Sequence, residues 1–266
     1  MPGPGTGKPL KTEHTMIEVA GLSYFAGGRP LLQEVAFSIK KNDFVLIFGQ
    51  NGAGKSTLLK ILAGLMPAGK GEVSINGRSI AGYSKRELAT LLSYLPQSDE
   101  FGLPILVKDI LLAGRYPYRS IFKKLSDRDQ EIFAEGVKRF GLGDLLKRNM
   151  QTLSGGERKK VLLATAFIQD VPIILLDEPV NFLDPGSTVQ LIKMLKNLHE
   201  SGKTILVVSH VIEHLFPSAN KMLALKNGRM SYFGGKKFSP ELFREVFQVD
   251  FQRTFFGGKE IIFVNE

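Results

Sequence analysis

The pattern G-x-x-x-x-G-K-[ST] occupies Gly49 to Thr57 as GQNGAGKST, between the apolar run DFVLIF and STLLKILAGL, whose apolar residues recur at helical spacing. A loop of this kind grips phosphate: glycines let backbone N–H groups turn inward, the helix N-terminus adds the positive end of its dipole, and the lysine reaches the outer phosphates. Gly49, Asn51, Gly52, Ala53, Gly54 and Lys55 are the expected cradle, with the Ser56 hydroxyl directed to Mg²⁺ and Thr57 bonded to a phosphate. A metal ion on such a loop also needs a carboxylate, and IILLDEP supplies Asp177 where an apolar strand runs out. Glu178 stands beside it and is expected to polarise an attacking water as a general base. His210 follows TILVVS, a second apolar strand emptying toward the same edge, so it is expected to face the terminal phosphate. Gln97 closes LLSYLPQ; it is a candidate hinge whose side chain senses Mg²⁺ or water. Tyr24 is an aromatic after an early strand on which a nucleotide base could stack, with Phe25 competing for that role. LSGGE, Leu153 to Glu157, opens a helix with two glycines but lacks the lysine of a phosphate loop.

The elements that must position these groups are readable from periodicity. MIEVA and VAFSI are short β-rich runs, GEVSINGRSI carries a hairpin signal at Asn76-Gly77, and SKRE at Ser84 to Glu87 fits a capping box. Between Pro104 and Gln169 the β character disappears and VKDILLAGR, SDRDQEIFAEGVKRF and GERKKVLLATAFIQ take helical spacing, which predicts a helical insertion within an α/β core. Alternation then resumes with PIILLDEP, the helix GSTVQLIKMLKNLHE, KTILVVSH and a hairpin turning at Asn227-Gly228. Continuous apolar strands of this type belong to parallel sheets buried on both faces. The end of the chain predicts one more helix and a last strand-like segment.

Composition narrows the classes. The 266 residues are 43% hydrophobic, enough for a sizeable core in one globular unit. No apolar run approaches the roughly 20 residues of a transmembrane helix, and the start, MPGPGTGKPLKTEHT, reads as a flexible tail rather than a secretory signal. The absence of cysteine excludes disulfides and thiolate metal sites. A net charge of +9 suits nucleic acid, anionic headgroups or phosphorylated small molecules, yet the basic residues are spread along the chain as on a solvated surface.

Taken in order, GQNGAGKST, LPQ, LSGGE, LLDEP, FLD and VVSH closely resemble the nucleotide-binding subunit of ATP-binding cassette (ABC) transporters, over about Met16 to Phe238. The resemblance implies a P-loop ATPase fold with a RecA-like α/β core, an N-terminal antiparallel β subdomain and an inserted α-helical subdomain. It sets expected boundaries of 1–15 for the tail, 16–250 for the ATPase domain with the helical part at about 100–168, and 251–266 for a C-terminal extension. It further implies ATP and Mg²⁺ as cofactors, with Ser56, Gln97 and Asp177 at the metal and Lys55, Glu178 and His210 in catalysis. Tyr24 becomes the adenine-stacking residue, Gln97 the Q-loop hinge, Asp184 the D-loop residue and His210 the switch histidine. Two cassettes are expected to face head to tail, so that Ser154, Gly155 and Gly156 of one close on ATP held by the other.

Three positions depart from the common pattern: Gln50 replaces a frequent proline, VNFLD stands for TSALD or TTFLD, and ERKKV for ERQRV; none removes a catalytic group. VKDILLAGRYPYRS and ELFREVFQVDF look like importers of iron-siderophores, haem or cobalamin, with another nutrient or metal transporter as the alternative. The expected partners are transmembrane permease subunits, a second cassette and, indirectly, a substrate-binding protein, at the cytoplasmic face of the inner membrane. The basic charge also admits a soluble ABC ATPase acting on nucleic acid or ribosomes, but tandem cassettes and long coiled-coil insertions are missing, so no nucleic acid is expected.

Overall fold

The computed structural model describes residues 15–97, 103–119, 124–257 and 259–265; most of the expected tail, residues 1–14, lies outside them. β1 (Thr15–Ala26) and β2 (Arg29–Lys40) form a hairpin, and β3 (Phe44–Phe48) leads through the glycine loop into α1 (Lys55–Leu62). β4 (Lys70–Ile75) and β5 (Arg78–Ser79) turn at Asn76 and Gly77, both with positive φ, before the single turn α2 (Lys85–Leu88) and β6 (Leu92–Leu95). α3 (Val107–Ala113), α4 (Asp127–Arg139) and α5 (Gly155–Gln169) make the helical region. β7 (Ile173–Asp177), α6 (Pro185–Glu200), β8 (Thr204–Val208), β9 (Lys221–Lys226) and β10 (Arg229–Gly235) complete the core. α7 (Pro240–Phe247) and a hairpin of β11 (Asp250–Phe256) and β12 (Lys259–Asn265) follow.

The central sheet runs β10-β9-β3-β8-β7-β6, with only the β9–β10 pair antiparallel. Its central strands β3, β7 and β8 are buried on both faces, and alternate residues feed two cores. Phe44, Leu46 and Phe48 of β3 join Ile174, Leu176, Ile205 and Val207 on the side covered by the helical region, α6 and α7. Val45 and Ile47 join Ile173, Leu175, Leu206 and Val208 on the side covered by α1 and the antiparallel sheet β2-β1-β4-β5. The period of 2 along each strand explains the division, and double burial explains why the runs read as continuously apolar.

The helical region is tied to the core at the C-terminal end of α5. Arg115 donates from Nε to Asp129 Oδ1 at 2.7 Å and from Nη1 to the Ile168 carbonyl at 2.9 Å, joining the ends of α3, α4 and α5 in one buried cluster. Gln169 Nε2 donates to the carbonyls of Ala89 and Leu92 at 2.7 and 3.1 Å, which anchors α5 beside β6. A helix and one strand-like segment were expected at the C-terminus; the structure has a helix and a two-stranded hairpin. The hairpin is held by Phe251 and Ile262, which enter the same core as Phe243 of α7. A strand whose buried face rests on so few residues carries too short an alternation to be read as a separate pair.

Candidate functional site

At the C-terminal edge of the parallel sheet, the glycine loop, the ends of β7 and β8, and Gln97 surround a cleft of about 490 Å³. The loop keeps its shape because of what touches it. A Cβ on Gly49 would lie 2.2 Å from the Leu225 carbonyl of β9, and one on Gly54 2.5 Å from the Leu31 carbonyl, so both positions exclude a side chain. Lys55 Nζ donates to the carbonyls of Gly49 and Gln50 at 2.8 and 3.0 Å, folding the lysine back over the loop. Burial pushes the Lys55 ammonium below the ordinary lysine range, against the opposing fields of Glu178 and Asp177. An anionic phosphate in the cleft favours the charged form.

Ser56 Oγ donates to Asp177 Oδ1 at 2.9 Å, and the Tyr94 hydroxyl donates to Asp177 Oδ2 at 3.3 Å. Burial raises the Asp177 carboxyl above the usual carboxylate range, countered in part by the Ser56 hydrogen bond, and burial likewise raises the Tyr94 phenol. Ser56 Oγ and Asp177 Oδ1 form an oxygen pair suited to Mg²⁺, a hard cation that takes its remaining ligands from phosphates and water. Among the described residues no cluster of three His, Cys, Asp or Glu side chains forms an all-protein cage.

Glu178 is 4% exposed and has φ +50°, an unusual backbone for a side chain of its size, held in place by its N–H donating to the Val208 carbonyl at 3.0 Å. Its Oε2 accepts from the His210 backbone N–H at 3.2 Å and meets His210 Nδ1 at 3.0 Å. An ionised carboxylate only accepts, so Nδ1 carries the hydrogen and Nε2 is turned to other partners. A carboxylate oriented this way at a cleft wall can take a proton from water.

Asn51, Gly52, Gly54, Lys55, Ser56, Thr57, Gln97, Glu178 and His210 all line the cleft. Gly49 and Ala53 stand behind the loop, with Ala53 buried. Tyr24 is not in the lining; it is half-buried on β1 opposite Leu32, whose side chain packs against Gly54, while Phe25 is 52% exposed. Asp184 caps α6, its Oδ1 accepting from the Ser187 N–H at 3.0 Å. Ser154, Gly155 and Gly156 are also away from the cleft. Ser154 and Glu157 form a capping box on α5, with Ser154 Oγ accepting from the Glu157 N–H and Glu157 Oε2 from the Ser154 N–H. The S-x-x-E spacing within LSGGE signals this cap, and the reading of LSGGE as an anion site passed over it.

Three lining residues went unnoticed as site residues in the sequence. Leu31 has no motif to mark it, whereas Asn181 and Phe182 follow LLDEP after Val180, and Phe182 opens FLD. Asn181 Oδ1 is buried with no hydrogen-bond partner, and Phe182 is 99% exposed with φ +61°.

The same architecture recurs in proteins of known class. The family model described as ABC transporter matches residues 32–181, and the chain belongs to the ABC transporter family, as an ATP-binding cassette that hydrolyses ATP. It is 33% identical to the iron(3+)-hydroxamate import ATP-binding protein of Bacillus subtilis, over 88% of this chain and 87% of the relative. It is 32% identical to a petrobactin import ATP-binding protein of Bacillus anthracis, over 92% and 94%, and 32% identical to the hemin import ATP-binding protein of Streptomyces coelicolor, over 90% and 85%. Among solved structures, a metal-chelate type ABC transporter in an inward-facing conformation superposes with a TM-score of 0.81 at 25% identity, covering 95% of this chain and 97% of that one. A dimeric ATP-binding cassette in a post-hydrolysis state with ADP and phosphate superposes at 0.73 and 27% identity, covering 84% and 100%.

Proposed function

We propose that this chain is the ATPase subunit of an importer for an iron chelate, either a siderophore complex or haem, working as one of two cassettes beneath a membrane permease. The observation that carries the reading is near full-length similarity, above 30% identity, to import ATPases for hydroxamate, petrobactin and hemin. A surface groove of about 460 Å³ between α2, the end of α3 and α5 supports it, lined by Arg86, Ala89, Tyr116, Pro117 and Gln169. Gln97 lines the nucleotide cleft, and the groove is built from α2 and the helical region. No helix among the described residues is long and apolar enough to cross a membrane, which fits a subunit bound at the cytoplasmic face of the inner membrane through such a groove.

In this reading Lys55 and the loop N–H groups bind the ATP phosphates, and Glu178 takes a proton from the attacking water. His210 holds Glu178 through Nδ1, and as the imidazolium it would also donate from Nε2 to the terminal phosphate. Ser56, Asp177 and the Gln97 amide would hold Mg²⁺, which would neutralise phosphate charge. Adenine rests near β1, where Tyr24 is the candidate platform. A substrate-binding protein delivers the chelate to the permease. Cells whose only copy carries Glu178→Gln should lose uptake of radiolabelled iron supplied as ferric hydroxamate, another ferric siderophore or haem. Undiminished uptake of all of them would overturn the importer reading.

The two glycines of LSGGE bear on the pairing of cassettes. A Cβ on Gly156 would lie 2.4 Å from Ser187 Oγ and 2.9 Å from its Cβ, so packing of α5 on α6 demands glycine there. Among the described residues a Cβ on Gly155 meets only Leu183 Cδ2, at 3.9 Å, and nothing there requires the glycine. The requirement comes from a second chain's nucleotide. Gly155→Ala should therefore keep the wild-type melting temperature and single-site nucleotide affinity while hydrolysis falls roughly ten-fold or more, whereas Gly156→Ala should lower the melting temperature. Normal turnover in Gly155→Ala would contradict closure on LSGGE.

A further inference from the structure

Lys159 is 5% exposed on α5, and its Nζ donates to the backbone carbonyl of Gln97 at 3.0 Å. It stands where the resembling pattern ERQRV has a neutral glutamine, and it puts a charged donor on the segment that borders the nucleotide cleft. Burying an ammonium is costly unless it is well bonded, and a charge-assisted hydrogen bond is stronger than the neutral amide bond a glutamine offers.

Both ends of this bond reach functional groups. Gln97 lines the cleft that holds Lys55, Ser56 and Glu178. Lys159 lies five residues after Ser154 on the same helix, about 7.5 Å along its axis. α5 is braced along its length: Ser154 and Glu157 cap its start, and Arg115 and Gln169 fix its end to α3, α4 and the beginning of β6. A helix held this way pivots about its fixed end, so a displacement of its N-terminus is carried to Lys159 and from there to the Gln97 backbone.

We propose that Lys159 is a positioning residue that couples the two half-sites contributed by one chain. Seating of Ser154 and Gly155 on the nucleotide of a second cassette draws Gln97 onto the nucleotide held by this chain's own phosphate loop. The proposal rests on the paired-cassette reading above. It makes hydrolysis at one site depend on occupancy of the other, through a bond that never touches substrate.

The test is a double-mutant cycle in the full chain, combining Lys159→Met with Gln97→Ala, read by hydrolysis at saturating Mg-ATP, the Hill coefficient for ATP and the affinity of the first nucleotide. Lys159→Met should lower turnover about ten-fold and bring the Hill coefficient toward one, with first-site affinity changed less than about two-fold. In the Gln97→Ala background the same change should cost less than about two-fold, because residues that act through one another are not additive. Lys159→Gln, which keeps a donor, should recover most of the loss. Equal losses in both backgrounds, or an unchanged Hill coefficient, would overturn the role of Lys159. Should Lys159→Met not fold, Lys159→Ala, which also removes the donor, carries the same cycle, and additivity there is equally decisive. A Glu178→Gln chain that stays monomeric with ATP removes the paired reading and this coupling with it; one that dimerises while the cycle is additive removes the coupling alone.

Discussion

Replacing Glu178 with glutamine is expected to slow ATP hydrolysis by about a hundred-fold or more while nucleotide binding stays at the wild-type level. The substitution keeps the shape of the site. Glutamine retains an oxygen that can accept the two N–H groups of His210 now bonded to Glu178 Oε2, and the backbone bond from residue 178 to the Val208 carbonyl does not involve the side chain. What disappears is the negative charge and with it the capacity to take a proton from water. With ATP bound but not cleaved, two chains should remain associated. Size-exclusion chromatography with and without Mg-ATP, together with single-turnover kinetics, reads both effects. Turnover near that of the unaltered chain would remove Glu178 from the role of base and direct attention to Asp177 or His210.

The second large effect is expected at Gly49. Alanine there brings a Cβ to 2.2 Å from the Leu225 carbonyl and 3.3 Å from the Ala53 Cβ, on a backbone with φ +154°. The carbonyl belongs to β9, which is paired with β3 through Ile47 and Phe48 and cannot retreat without breaking the sheet. The loop must move instead, and with it the Gly49 and Gln50 carbonyls that hold the Lys55 ammonium. A displacement of about 1 Å in a positioned group can cost on the order of a hundred-fold, so affinity for ATP should fall by at least that factor. Titration with a fluorescent ATP analogue, alongside a thermal melt, checks it. Wild-type affinity in Gly49→Ala would mean that the loop tolerates the shift and that its contact with β9 does not set its geometry.

These expectations combine two kinds of information. The phosphate loop, Asp177, Glu178 and His210 were legible because each follows a short apolar run, and a parallel strand buried on both faces delivers the residue after it to the same sheet edge. Hairpin turns at Asn76-Gly77 and Asn227-Gly228 were equally legible, since positive φ at both residues of each turn restricts the residues that fit. Leu31 and Phe182 were not, because their roles come from where a neighbouring loop ends in space. The C-terminal hairpin was half-read for a related reason: its stability comes from Phe251 and Ile262 entering a core formed by distant strands.

The sequence by itself determined the family, the phosphate-loop motif and the order of strands and helices as far as α7, because these depend on local spacing and on the residue types that a motif requires. The tertiary structure alone decided which glycine of LSGGE serves α5–α6 packing and which is left open, since only the approach of Ser187 distinguishes Gly156 from Gly155. It also brought Lys159 to Gln97 across 62 positions of chain, through the packing of α5 beside β6. Contacts of that separation are set by how buried faces stack, and residue spacing along the chain carries no record of them.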